Sequence, residues 1–389
     1  MKWKNKGHEY DAEMDLLENY KGKCVIWGAG TYGYVFLKAF EKDFDILEFI
    51  DKNPQKQGDM FYGYPVISPQ QFKEKYDGEM VIVSTGVTRS VYAFLEDMGL
   101  VRYKDFFHID EVASLYSYRV KDKVFFNDAT LWITQRCTLK CSFCNAFIPH
   151  YDHPCDYDIE FLKDTLKKYF RWVDELNVLA LVGGDAMMHR EFSTLLKWIL
   201  DEYYPRQIKN IEIYSNAVIM PTGEILKLIR DNHVIYRFTD YHDMTGKQNI
   251  DKIERVFDEN EIIYDHANFT SWFDCGYPQE SNGITSEEGL IAFCNSCDRK
   301  TCHGIFGNKV LLCNMCNNAS QIGYCDLLES DYFDLDPYDK TRRVELIEYY
   351  LGYSEKGYYN YCRKCNGGMN NNTHLIPAGE QKSLVERRM

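Results

Sequence analysis

The run Cys137-Thr138-Leu139-Lys140-Cys141-Ser142-Phe143-Cys144 decides the reading of this chain. Its cysteines stand at C-x3-C-x2-C spacing on one short loop, where three thiolates can hold three corners of a cubic [4Fe–4S] cluster. The fourth iron is then left without a protein ligand. Such clusters are normally closed by four cysteines, so three suggest a site kept open for another molecule. Catalytic metal sites likewise hold back a coordination position that structural sites fill. The alternative is a structural zinc site that recruits His150 or Cys155 as its fourth ligand, although x3-then-x2 spacing is unusual for zinc.

The surroundings of the loop are ordered. Ala129-Thr130-Leu131-Trp132-Ile133-Thr134 is a β-prone apolar run, and the cysteines follow it directly. Glu160 to Trp172 then has the apolar periodicity of an amphipathic helix. Val178-Leu179-Ala180-Leu181-Val182 reads as a second strand and ends in Gly183-Gly184-Asp185. In this order the motifs resemble the radical S-adenosylmethionine (SAM) superfamily, over roughly the middle half of the chain. The resemblance implies that Cys137, Cys141 and Cys144 hold the cluster whose open iron binds SAM, with Phe143 as the aromatic that often precedes the last cysteine. It implies that Gly183, Gly184 and Asp185 bind the SAM amino group, Asp185 standing where Glu is more usual, with the carboxylate kept and its reach shortened. Ser215-Asn216, after the strand Ile211-Glu212-Ile213-Tyr214, resembles the third-strand contact to SAM ribose or carboxylate. The implied reaction is one-electron cleavage of SAM to methionine and a 5′-deoxyadenosyl radical, which takes hydrogen from a substrate C–H bond.

Composition narrows the class further. A chain of 389 residues exceeds the size at which single cores stop growing, so two or three domains are expected. The net charge of −14 argues against nucleic acid, whose binding rests on Lys and Arg neutralising phosphates. No apolar run reaches the ~18–20 residues of a membrane span, and Met1-Lys2-Trp3-Lys4-Asn5-Lys6 lacks the apolar stretch of a signal peptide. Fourteen cysteines without an export signal belong to metal or redox chemistry rather than a disulfide frame. The expected location is the cytoplasm, in an organism living with little oxygen.

Three segments are expected. In residues 1–115, the strand Cys24-Val25-Ile26-Trp27 leads into Gly28-Ala29-Gly30-Thr31-Tyr32-Gly33, a helix from Tyr34 to Glu41, and the strand Ile46-Leu47-Glu48-Phe49-Ile50 ending in Asp51. That is the order of a dinucleotide-binding half, with glycines that let backbone approach a phosphate at a helix N-terminus. The segment is too short for a second half. Asp51-Lys52-Asn53-Pro54 and Gly63-Tyr64-Pro65-Val66-Ile67-Ser68-Pro69 resemble small Rossmann-like domains of sugar-modifying enzymes. That likeness implies Gly28, Gly30 and Gly33 at a phosphate and Asp51 or Lys52 near a nucleoside; the other reading is a scaffold used only for docking. Residues 125–270 alternate strand and helix, which implies parallel strands with right-handed crossovers. Strands are expected at 129–134, 178–182, 211–214, 234–239 and 261–264, a count that fits the partial (β/α)6 barrel of the resemblance. Ligands sit at the carboxyl ends of such strands, where all these motifs fall, with Asp240. His242 and Asp243 read as a solvated loop.

Residues 271–389 hold nine of the fourteen cysteines: Cys275, Cys294, Cys297, Cys302, Cys313, Cys316, Cys325, Cys362 and Cys365. Gly307-Asn308-Lys309 between Cys302 and Cys313 reads as a hairpin turn. The pattern resembles the SPASM and twitch extensions of radical SAM enzymes, without the full C-x2-C-x5-C-x3-C run, and implies one auxiliary [4Fe–4S] cluster. Its expected ligands are Cys302, Cys313, Cys362 and Cys365, with Cys297 as a substitute for one of them; a structural zinc is the alternative. The remaining four cysteines of the segment read as buried small hydrophobes, Cys275 also as a hydrogen donor. The resemblance points to oxidation or epimerisation of a sugar or nucleotide-linked sugar, with elimination of water also open, and to a flavodoxin or ferredoxin-like reductant. A peptide-modifying maturase is the second reading and a non-catalytic metal-binding scaffold the third.

Overall fold

Short apolar runs punctuated by Gly, Asp and Asn form parallel strands in both units into which the chain divides, residues 5–127 and residues 1–4 with 128–389. The computed structural model describes residues 1–389 apart from 87, 242–244, 278, 299–301 and 383–389.

The first unit runs α1 (Asp11–Asn19), β1 (Lys23–Trp27), α2 (Thr31–Phe40), β2 (Asp45–Ile50), β3 (Met60–Phe61), β4 (Tyr64–Ile67), α3 (Pro69–Lys75), β5 (Met80–Val83), α4 (Arg89–Asp97), β6 (Phe106–His108) and α5 (Ile109–Lys121). Its sheet has the order β3-β4-β2-β1-β5-β6 and is parallel apart from the β3/β4 hairpin. The central strands are apolar on both faces, as helix-covered parallel strands require. Val25, Trp27, Val81, Val83, Leu95 and Phe106 share one core cluster. Local signals set the ends: Ser68 and Gln71 form a reciprocal capping box at α3, with Pro69 in its first turn.

The second unit is built on β7 (Phe125–Thr134), whose residues from Asp128 belong to it, α6 (Ile159–Trp172), β8 (Glu175–Gly183), α7 (Phe192–Tyr203), β9 (Ile208–Ser215), α8 (Gly223–Asp231), β10 (Ile235–Asp240), α9 (Ile250–Glu259) and β11 (Tyr264–Asn268). Then follow β12 (Ser271–Phe273), α10 (Glu287–Asn295), β13 (Gly304–Phe306), β14 (Lys309–Leu311), α11 (Asn314–Gln321), β15 (Phe333–Asp334), α12 (Arg343–Tyr350) and β16 (Leu375–Pro377). Asp158 caps α6 by accepting from the Glu160 and Phe161 amides, and Leu162, Leu166, Tyr169 and Trp172 form its buried face. The main sheet has the order β11-β10-β9-β8-β7-β13-β14-β15, with β12 and β16 paired separately.

Two details differ from the sequence reading. The last expected strand forms over Tyr264–Asn268 rather than 261–264, because the Ile262 amide closes the end of α9 on the Phe257 carbonyl at 2.9 Å. Only five parallel strands arrive in sequence order. A sixth, β13, comes from beyond residue 270 and pairs in parallel with β7, Gly304 opposite Thr130 and Ile305 opposite Leu131. The cysteine-rich segment is thereby part of the same unit as the strands before it. Among the described residues, no helix is long and apolar enough to cross a membrane.

Candidate functional site

The carboxyl ends of β7, β8 and β9 come together through glycine. The Gly184 amide donates to the Thr134 carbonyl at 3.0 Å and the Asp185 amide to the Arg136 carbonyl at 2.9 Å. A Cβ on Gly183 would lie 2.6 Å from the Thr134 carbonyl oxygen; one on Gly184 would lie 2.4 Å from that of Arg136 and 2.8 Å from Cys137 Cβ. Real Cβ atoms essentially never approach so closely, so Gly183-Gly184 is required for the second strand to meet the first cysteine.

Asp185 is 1 % exposed and ties β8 to β9. Its Oδ1 accepts from the Met187 amide at 2.9 Å, and its Oδ2 accepts from the Asn216 amide at 2.9 Å and the Ser215 hydroxyl at 3.1 Å. Burial raises its pKa, while these donors favour the carboxylate. Both oxygens are therefore engaged by the chain itself. Asn216 extends the network to the loop, donating through Nδ2 to Cys137 Sγ at 3.3 Å and to Thr138 Oγ1 at 3.0 Å.

Each loop sulfur faces N–H donors. Cys137 receives the Leu139 amide at 3.4 Å besides Asn216, Cys141 receives Gln381 Nε2 at 3.3 Å, and Cys144 faces the backbone amides of Ala146, Phe147 and Ile148. Burial, with the Asp185 carboxylate next, pushes Cys137 up to about 12; burial and then Cys144 push Cys141 up to about 12. Burial raises Cys144 as well. Water-poor sulfurs ringed by N–H donors are unfavourable as bare thiolates and suited to thiolates compensated by a cationic metal centre. The donor set fits a [4Fe–4S] cluster held by three cysteines. Among the described residues, no group of three His, Cys, Asp or Glu side chains is placed to hold a single metal ion. Of the two side chains that could close a zinc site, His150 packs edge-on to Tyr277 with ring centroids 4.5 Å apart, and the exposed Cys155 lies 3.6 Å from Gln135 Oε1. Tyr241 stands by all three cysteines; burial and their proximity hold its hydroxyl well above the usual range. Phe143 is 39 % exposed, Asp240 ends β10, and His242 and Asp243 lie outside the described residues.

A second cysteine cluster surrounds a space of about 400 Å³, part of it open to solvent, lined by Cys294, Cys297, Cys313, Cys362 and Cys365. Cys302 is absent from this lining; its backbone bridges Cys313 and its thiol is among that residue's electrostatic neighbours. Burial, then Cys365 and Cys297, hold Cys313 well above the usual thiol range. A hydrogen bond shared with Cys294, together with burial, does the same for Cys362. Cys316 and Cys325 form a separate hydrogen-bonded thiol pair, and the Cys275 thiol lies 3.6 Å from the Phe273 carbonyl oxygen. Gly307, at φ +62°, turns the β13/β14 hairpin between Cys302 and Cys313. Sequence spacing did not single out Gln381 or Tyr241, and it read Cys294 as a buried small hydrophobe rather than a ligand. Gln381 lies 240 residues from its partner Cys141, and no local pattern signals such a contact.

In the first unit, a Cβ on Gly33 would lie 2.2 Å from the Gly28 carbonyl oxygen, and Gly28 itself has φ +122°. Gly30 faces open space. The Asp51 carboxylate accepts from the amides of Ala29 at 3.0 Å and Asn53 at 2.8 Å, and Lys56 Nζ lies 3.4 Å from it, so Asp51 fastens the glycine turn.

No family model matches the chain. A stretch of 98 residues is 30% identical to an S-adenosylmethionine-dependent nucleotide dehydratase of Selenomonas ruminantium, 23% of this chain and 32% of the relative. The chain thus spans about a third of the length of the curated relative it matches. Among solved structures it is similar to BtrN in complex with AdoMet and 2-DOIA, at 10% identity and TM-score 0.41, over 64% of this chain and 98% of that one. It is also similar to Streptococcus suis SuiB bound to S-adenosylmethionine, at 14% identity and TM-score 0.32, over 53% and 43%. The acetyltransferase domain of PglB from Neisseria gonorrhoeae FA1090, in complex with acetyl coenzyme A, matches at 20% identity and TM-score 0.18, over 29% and 47%.

Proposed function

We propose that this chain is a radical SAM enzyme that takes hydrogen from a sugar or nucleotide-linked sugar, its cluster held by Cys137, Cys141 and Cys144. The observation that carries the reading is the set of three cysteine sulfurs, Cys141 buried and Cys137 and Cys144 half-buried, each facing N–H donors, at the carboxyl end of a parallel strand. The S-adenosylmethionine-dependent nucleotide dehydratase supports the cofactor and a substrate that carries a nucleotide, and among the open outcomes it favours elimination of water. When bound, cluster and SAM supply reductive cleavage to a 5′-deoxyadenosyl radical. The chain's part is placement. Gly183 and Gly184 let backbone close on the cysteine loop, and Asp185 holds Ser215-Asn216 in register with it. Ser215 and Asn216 then line the SAM site, with Asp185 acting through them.

Four of Cys294, Cys297, Cys313, Cys362 and Cys365 would hold an auxiliary [4Fe–4S] cluster, which supplies a one-electron acceptor. The first unit is proposed, by itself, to bind a nucleotide phosphate at the open backbone of Gly30, which Asp51 fastens through Ala29. The reductant is a one-electron donor of the flavodoxin or ferredoxin class.

Iron and acid-labile sulfide per chain after anaerobic reconstitution test the assignment. Two clusters' worth in the wild type, one in the triple variant Cys137→Ala/Cys141→Ala/Cys144→Ala, and SAM retained in equilibrium dialysis only by the former are expected. Full iron and SAM retention in the triple variant would sink it.

A further inference from the structure

The segment after β16 runs back along the cysteine loop. The Ala378 amide donates to the Thr270 carbonyl at 3.1 Å. Gly379 lies so close to the Tyr241 ring that a Cβ would be 2.7 Å from its Cγ. The Ser142 amide then donates to the Glu380 carbonyl, and the Lys382 amide to the Lys140 carbonyl, each at 2.7 Å. Within this strap, Gln381 uses its whole amide. Oε1 accepts from the Lys140 amide at 2.9 Å; Nε2 donates to the Gly379 carbonyl at 2.7 Å and to Cys141 Sγ at 3.3 Å. A flipped amide would set oxygen against the Gly379 carbonyl and nitrogen against the Lys140 N–H, so the three partners fix its orientation.

We infer that Gln381 is a positioning residue that sets the reduction potential of the centre held by Cys141, an inference that rests on the radical SAM reading above. An N–H donated to a ligand sulfur stabilises extra negative charge on it. It therefore favours the state that has gained an electron, and hydrogen bonds to sulfur are among the levers on cluster potential. Cys137 has its donors from Leu139 and Asn216, and Cys144 from the amides that follow it; the side-chain donor to Cys141 comes from the far end of the described chain. This strap makes one-electron reduction by a low-potential flavin or iron–sulfur donor easier.

The test is a redox titration of the full chain followed by EPR, reading the component that changes when SAM is added and using the SAM-insensitive component as control. Gln381→Leu removes donor and acceptor; Gln381→Glu keeps an acceptor for the Lys140 amide and puts a carboxylate by the sulfur. The SAM-responsive component should become harder to reduce in both, roughly three- to tenfold in the one-electron equilibrium for Gln381→Leu and more for Gln381→Glu. Tenfold corresponds to about 59 mV. The control component should not move. Unchanged potential in both variants overturns the inference, as does failure of both to take up iron, since a tuning residue leaves assembly intact. No SAM-responsive component in the wild type overturns the radical SAM reading itself, and the inference with it.

Discussion

A single methyl group at Gly184 should damage the site more than its size suggests. In Gly184→Ala the new Cβ starts 2.4 Å from the Arg136 carbonyl oxygen and 2.7 Å from its carbon, both backbone atoms. Reaching even the tightest tolerated contact requires the two segments to separate by about 0.6 Å. The hydrogen bonds from Gly184 to Thr134 and from Asp185 to Arg136, at 3.0 and 2.9 Å, lie across the same gap and stretch with it. Overpacking costs about 1–3 kcal/mol. Weakening two hydrogen bonds adds about 0.5–1.5 kcal/mol each at most. A loss of about 2–6 kcal/mol corresponds to a fall in Tm of roughly 4–24 °C for a unit of this size. The same movement displaces Cys137, so iron uptake and SAM binding should fall together. Calorimetry, iron content and equilibrium dialysis are the assays. Gly30→Ala is the control: its Cβ meets nothing within 4 Å, and its φ of −135° suits any residue. A Gly184→Ala protein melting with the wild type and loading iron fully would refute the packing argument.

Three further outcomes follow from the same geometry. Asp185→Asn replaces one acceptor with an N–H group facing the amide of Asn216 or Met187 and should cost about 1–3 kcal/mol in urea unfolding, with weaker SAM binding; an unchanged midpoint would contradict the network. Cys313→Ala with Cys362→Ala should remove one cluster's worth of iron and leave SAM retention intact, as read by iron and sulfide analysis; undiminished iron would show that this cavity holds none. Burial, aided by Lys382, lowers His150 to about 4, below the ~6.5 of an unfolded histidine. Between those values the unfolded chain binds more protons than the folded one, so stability is lost as pH falls from about 6.5 toward 4. His150→Phe should lack that share of the slope when urea midpoints are compared at pH 7.5 and 5; identical pH dependence would argue against it.

Much of this architecture was readable from residue patterns. Helix-covered parallel strands are apolar on both faces, so the runs at 129–134, 178–182 and 211–214 stood out, and the amphipathic helices between them carried a clear period. The glycines at 183 and 184 stood out through the family resemblance, and the structure supplies their physical reason, a backbone approach that no Cβ permits. What escaped depends on contacts distant in sequence. Three residues, Gly304–Phe306, are too short a signal for the sixth parallel strand, which exists because Thr130 and Leu131 offer an edge. Trp3 bonds Glu348 at 2.7 Å and Gln381 bonds Cys141 at 3.3 Å, each with no local periodicity to announce it. Asp51 was legible only in part: sequence order gives a strand-end acid, and the structure adds that its carboxylate accepts from the amides of Ala29 and Asn53.

The central claim, that the loop from Cys137 to Cys144 cleaves SAM, is tested most directly by 5′-deoxyadenosine release. Anaerobically reconstituted protein would be given SAM and dithionite, alone and with nucleotide sugars, beside the variants Cys137→Ala, Cys141→Ala and Cys144→Ala. Release by the wild type, faster with nucleotide sugars and abolished in each variant, is the predicted result. No release from iron-replete wild type, or equal release from the variants, would contradict it.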